Sequence, residues 1–168
     1  MRCTRSRACV RIFLLARLSS RLGDHCRYPA QAKLLMIDYS PNTLPNVNAV
    51  EVIDLRGVFP NRLSEYADDS QQLPGVPCDA KTVELIAASW RSLVSGQSAR
   101  CHTPPFGIRF VVGNKTHLQV SICWRCHNMY GLLNGSKMTF AFDSEAPAAK
   151  TLLSLCMKVI GVEQLGDE

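Results

Sequence analysis

The chain has 168 residues, 46% hydrophobic and 20% charged, enough to bury one core and too few for several domains. Its formal charge of +5 sits at the start: residues 1–35 hold eight Lys/Arg and one acid, whereas eleven basic residues face thirteen acidic ones from Met36 onward. The body is faintly acidic, which speaks against a phosphate-binding surface and a nucleic-acid partner there.

Within residues 1–35 the apolar run Ile12–Ala16 is closed off by Arg11 and Arg17, too short for a secretory signal. These residues are expected to form a basic leader, disordered or not native, ahead of a single domain over 36–168. Without a signal peptide or an apolar run long enough to span a bilayer, the expected compartment is the cytoplasm. Eight cysteines are present, and Cys3, Cys9 and Cys26 lie in the leader. The odd number left in the body (Cys78, Cys101, Cys123, Cys126, Cys156) argues against a complete extracellular disulfide framework.

Residues 38–48 read as turns because Pro41 and Pro45 discourage helix. Alternation in Ala49–Leu55 predicts a first strand, with Val50 and Val52 on one face and Glu51 on the other. Residues 57–77 are rich in proline and glycine, with a short helical turn expected at Arg62–Ala67 behind Asn61. A helix is predicted over residues 80–95, capped by Asp79 and stopped by Gly96. Val83, Ile86, Ala87, Trp90, Leu93 and Val94 form its apolar face, with Trp90 as the core anchor.

Strict period-two alternation marks strands at residues 106–112 and 116–124. A slip of one residue would turn each apolar set outward, so the register follows: Phe110 opposite Leu118, Ile108 opposite Val120, Phe106 opposite Ile122. This leaves a three-residue loop, Gly113-Asn114-Lys115. A second hairpin, residues 129–133 and 137–143, turns at Asn134-Gly135 and points Met138, Phe140 and Phe142 inward. A last helix over residues 148–160 starts behind Asp143 or Ser144 and ends at Gly161, burying Ala149, Leu152, Leu153, Cys156, Val159 and Ile160. The fold class is α+β: a two-layer domain, mainly antiparallel sheet, with both helices on one face. Arg109 and Gln119 are expected on the polar side of the sheet as surface residues.

Chemistry concentrates at Cys123-Trp124-Arg125-Cys126-His127, whose C-x-x-C-H spacing is formally that of covalent haem attachment. Extending the register places Cys101 opposite His127 and His102 opposite Cys126, gathering five candidate metal ligands: Cys101, His102, Cys123, Cys126 and His127. Four readings stay open. Packing of reduced thiols stands first, because buried free cysteine is common. Structural zinc would need three of these cysteines and one histidine. A disulfide would link Cys123 to Cys126, or Cys101 to either. Haem stands last, since the motif lies between strands and no export route is advertised. A thioredoxin-like activity is disfavoured because no helix follows Cys126.

The remaining features point elsewhere. The sequons at Asn114 and Asn134 fall in hairpin turns, where Asn is favoured anyway. Glu65, Asp68 and Asp69 read as a solvated loop edge, and Cys156 as packing. No phosphate loop, G-x-S-x-G or H-E-x-x-H occurs, and no acid–base pair emerges from spacing, so no catalytic residue is assigned.

Cys101-His102-Thr103-Pro104, Phe106-Gly107-Ile108-Arg109 and Ile122-Cys123-Trp124-Arg125-Cys126 resemble a scattered family of small bacterial proteins. In these, a C-x-P-x-x-G-[IL]-R-like strand precedes an [IV]-C-[FW]-x-C strand. The resemblance spans roughly residues 80–143 and implies the hairpin and its cysteine cluster, with no activity to carry over. The expectation is a non-catalytic domain with a structural or metal-binding Cys/His cluster, no cofactor or zinc alone, and a protein partner. The alternative is a thiol-redox or covalent-haem electron carrier.

Overall fold

The structure is a computed structural model that describes residues 37–58 and 72–165. The leader, the turn expected at Arg62–Ala67 and the acidic loop edge fall outside these residues.

Strand β1 (Ile37–Asp38) is followed by a 3₁₀ turn (Pro41–Thr43), β2 (Ala49–Asp54) and β3 (Val76–Pro77). Helix α1 (Ala80–Arg91) leads to β4 (Phe106–Val112), β5 (Lys115–Cys123), β6 (Asn128–Leu133) and β7 (Ser136–Ala141). Helix α2 (Pro147–Ile160) closes the order. The seven strands form one sheet, β1-β7-β6-β5-β4-β2-β3, antiparallel throughout except for the parallel β1–β7 pair. The expected α+β class holds. The two-residue strands β1 and β3 at the edges carry too few residues for a period-two signal and go undetected in the sequence.

The central register is the one that alternation dictates: Phe106 pairs with Ile122, Ile108 with Val120 and Phe110 with Leu118. These six side chains, with Val50 and Val52, are fully buried. They form one apolar cluster with Val83, Ile86 and Trp90 of α1 and Ala149, Leu152 and Cys156 of α2. Both helices therefore cover the same sheet face.

Asp79 caps α1 as expected, its Oδ1 accepting the Thr82 N–H at 2.8 Å. The helix stops at Arg91, four residues earlier than predicted. Instead of continuing it, Ser95 bridges Phe142, the Gly96 N–H donates to the Ala141 carbonyl, and Val94 is 57% exposed. The correction has a physical cause. Residues 94–96 find extended partners at the end of β7, and a Cβ at Gly96 would lie 2.5 Å from the Phe142 carbonyl. Gly96 is a packing glycine and not a helix stop.

Two turn assignments also change. Val111 pairs with Thr116 and Val112 with Lys115, so the β4–β5 connection is the two-residue turn Gly113-Asn114. A bulge at His117 absorbs the extra residue. Helix α2 begins at Pro147 behind Ala146, without a side-chain cap. Pro147 has no N–H to satisfy, and Asp143 instead accepts the Glu145 N–H in a turn ahead of the helix. Asn134-Gly135 and Gly161 behave as predicted, with φ of 49°, 82° and 77°.

Candidate functional site: a stapled cysteine–histidine cluster

Period-two geometry places Glu51, Arg109, Gln119, Ser121, Cys123, Asn128 and Tyr130 on the sheet face turned away from the helices. Between α1 and β4 the chain crosses to this face, and Pro104 and Pro105 mark where the β4–β5 ladder begins, at Phe106. The crossing is tied down at several points. Ala99 N–H donates to the Cys126 carbonyl at 2.9 Å, and the Asn128 amide donates to the carbonyls of Ala99 (3.0 Å) and Cys101 (2.9 Å).

Cys101 and Cys126 are joined by a disulfide, Cα–Cα 5.7 Å. The derived register had put Cys101 opposite His127. The displacement of one position follows from the loss of ladder pairing at the prolines. Cys123 is a buried free thiol whose sulfur accepts the Cys126 N–H at 3.3 Å.

His102 is 3% exposed and bonded through both ring nitrogens, Nδ1 to Asn128 Oδ1 at 2.7 Å and Nε2 to Ser121 Oγ at 2.8 Å. Because the Asn128 NH₂ group is spent on two carbonyls, its oxygen faces the ring. Nδ1 is thereby assigned the proton, and Nε2 accepts from the Ser121 hydroxyl. Burial pushes the His102 pKa down to about 4, against a smaller upward pull from Asn128. The imidazole is neutral over the physiological range.

Ser121, His102 and Asn128 thus repeat the order of nucleophile, base and orienting amide. Ser121, however, is fully buried. In this arrangement its oxygen is enclosed by protein.

His127 occupies the left-handed corner of the β5–β6 turn, φ 56°, with its side chain exposed. Its carbonyl accepts the Phe142 N–H, which makes its backbone the structural part. Of the five predicted ligands, Cys101, His102, Cys123 and Cys126 come together and His127 is turned outward. Among the described residues no group of three or more His, Cys, Asp or Glu side chains is arranged to hold a metal ion. Sequence reasoning missed Ser121, Asn128 and Tyr130, the partners of His102. Their signal was available: polar residues at alternating positions of two strands beside a histidine brought in by the same register.

Along the same face lies a pocket of about 450 Å³ lined by Glu51, Arg109, Val111, Asn114, Thr116, Gln119, Leu132 and Gly135. Arg109 is bonded to Glu51, to Gln119 Oε1 (3.0 Å) and to the Leu73 carbonyl (3.3 Å). Gln119 is 3% exposed, so these two residues are not the free surface groups that alternation implied. They form the polar floor of a concavity. The other described cysteines, Cys78 and Cys156, lie elsewhere: burial drives the Cys156 thiol far up and raises Cys78 to about 11, so neither is a thiolate at neutral pH.

Among the described residues no helix is long and apolar enough to cross a membrane. Compared with known proteins, the chain matches no family model, no curated protein and no solved structure.

Proposed function

We propose that the protein is a non-catalytic α+β binding domain in which the Cys/His cluster is structural. The Cys101–Cys126 bond carries this reading: it ties the crossing after α1 to the β5–β6 turn, with His102 as a buried plug beneath it. Every polar atom of that plug is committed, which leaves no group to move a proton to a substrate. The surface held in shape is the outer sheet face, with the Arg109 pocket as its concave part and a protein or small polar ligand as its occupant. A disulfide of this kind persists where thiols are not continuously reduced, so the reading implies an oxidising compartment in place of a cytoplasm.

The deciding experiment is peptide mapping of the unreduced, alkylated protein, with its native mass measured without chelator. The expected result is a peptide linking Cys101 to Cys126 and no metal adduct. Three alkylated thiols with bound zinc would replace the staple by the zinc reading. A visible haem spectrum would overturn both.

A further inference from the structure

We infer that Cys123 is the internal nucleophile of a thiol–disulfide exchange that moves the bond from Cys101–Cys126 to Cys123–Cys126. The inference rests on the staple proposed above and adds a second state to it. Cys123 ends β5 on the same sheet face as the cluster, and its sulfur lies 3.3 Å from the main-chain nitrogen of Cys126. The attacking sulfur is thus packed against the residue whose own sulfur is oxidised. The two are separated by a C-x-x-C turn, a spacing that disulfide exchange chemistry uses repeatedly.

The step balances without an external oxidant. When the turn opens to water, the Cys123 thiol loses its proton and, as thiolate, attacks Sγ of Cys126. One S–S bond forms, the Cys126–Cys101 bond breaks, and Cys101 leaves as a thiolate that takes a proton from water.

Exposure gives the exchange a direction of consequence. Cys123 and Cys126 are fully buried, whereas Cys101 is exposed. The product therefore buries the new bond and places the thiol at the surface. The crossing stays docked, because Asn128 still holds the carbonyls of Ala99 and Cys101 and His102 keeps both its ring bonds. What changes is the chemistry presented: an inert staple becomes a surface thiol able to form a mixed disulfide with a small disulfide or a partner's oxidised cysteine.

The full chain is held at mildly alkaline pH, quenched in acid, alkylated with a maleimide and digested with pepsin without reduction. A peptide linking Cys123 to Cys126 together with alkylated Cys101 is the expected result, and Cys123→Ser should reduce Cys101 labelling to background. In Cys101→Ser, mild oxidant should close Cys123–Cys126. If Cys101–Cys126 persists and Cys123 is the one labelled cysteine of these three, or if Cys101→Ser stays reduced, the exchange is wrong and the staple survives. If all three cysteines are labelled at the outset, the staple itself fails and the exchange with it.

Discussion

The imidazole of His102 stands edge-on to the phenol ring of Tyr130, their centroids 4.6 Å apart and their planes at 87°. With Ser121 and Asn128 on its two nitrogens, this contact completes a site built for a neutral ring. Protonation would set a charge in a site closed off from solvent. Its folded pKa, about 4, lies below the ordinary value of 6.5, so the unfolded chain binds the extra proton first as pH falls. Stability from this group is complete above about pH 6.5 and is lost progressively toward about pH 4, by roughly 2–3 kcal/mol. Urea denaturation of the parent and of His102→Gln across that window should show a steep difference in slope. Parallel curves would remove His102 as the source.

Reduction of the Cys101–Cys126 bond should lower stability by about 3.5 kcal/mol, the loop-closure value for a bridge of this span. The bridge closes a sequence separation of 25 residues. Cys126→Ser should lose a similar amount and become insensitive to reductant in the same urea assay. An unchanged midpoint on reduction would mean that the crossing is held by Asn128 alone.

At Gly96, substitution by alanine has a sign that separates two roles. A glycine of ordinary φ in open space gains about 0.4–1 kcal/mol on becoming alanine. Here the added carbon would meet the Phe142 carbonyl at 2.5 Å and the Asp143 nitrogen at 2.6 Å, both main-chain atoms. Gly96→Ala is expected to cost about 1–3 kcal/mol, read as a lowered thermal midpoint.

Tyr39 accepts the indole N–H of Trp90 at 2.8 Å inside the core. Tyr39→Phe keeps the ring and strands that donor, at a cost of about 1–3 kcal/mol. Trp90→Phe with Tyr39→Phe should recover part of the loss in a double-mutant cycle. Additive effects would show that the bond contributes nothing.

The sequence made the sheet legible because Phe106–Phe110 and Leu118–Ile122 alternate without exception, and only one register buries both sets. It did not show the bulge at His117, since one extra residue beyond the last apolar pair leaves no trace in the pattern. The ends of the helices were misjudged for different reasons. Residues 94–96 are helix-compatible locally but find better partners on β7, and Pro147 makes a side-chain cap dispensable. In the cluster, alternation brought Cys101, His102, Cys123 and Cys126 into one neighbourhood. It could not choose the sulfur pair, because the prolines that separate the crossing from β4 also erase the register there. Nor could it show that Arg109 and Gln119 are covered, since a polar face may be wet or may be folded over by the chain itself.

Trp124 lies inside the C-x-x-C turn, and its indole N–H donates to the Ala149 carbonyl in the first turn of α2 at 3.1 Å. One side chain thus joins the sulfur chemistry to the helical layer, and it is 7% exposed, shielded from solvent quenching. The protein carries its own optical gauge. Rearrangement of the sulfurs should alter Trp124 emission, through contact quenching or tilt of the indole, while Trp90, bonded to Tyr39, serves as an internal standard. A time course of emission in Trp90→Phe and Trp124→Phe would then follow the state of the cysteines without any added label. An unchanged signal from Trp124 during a mass-verified exchange would show that the turn is rigid enough to hide its own chemistry.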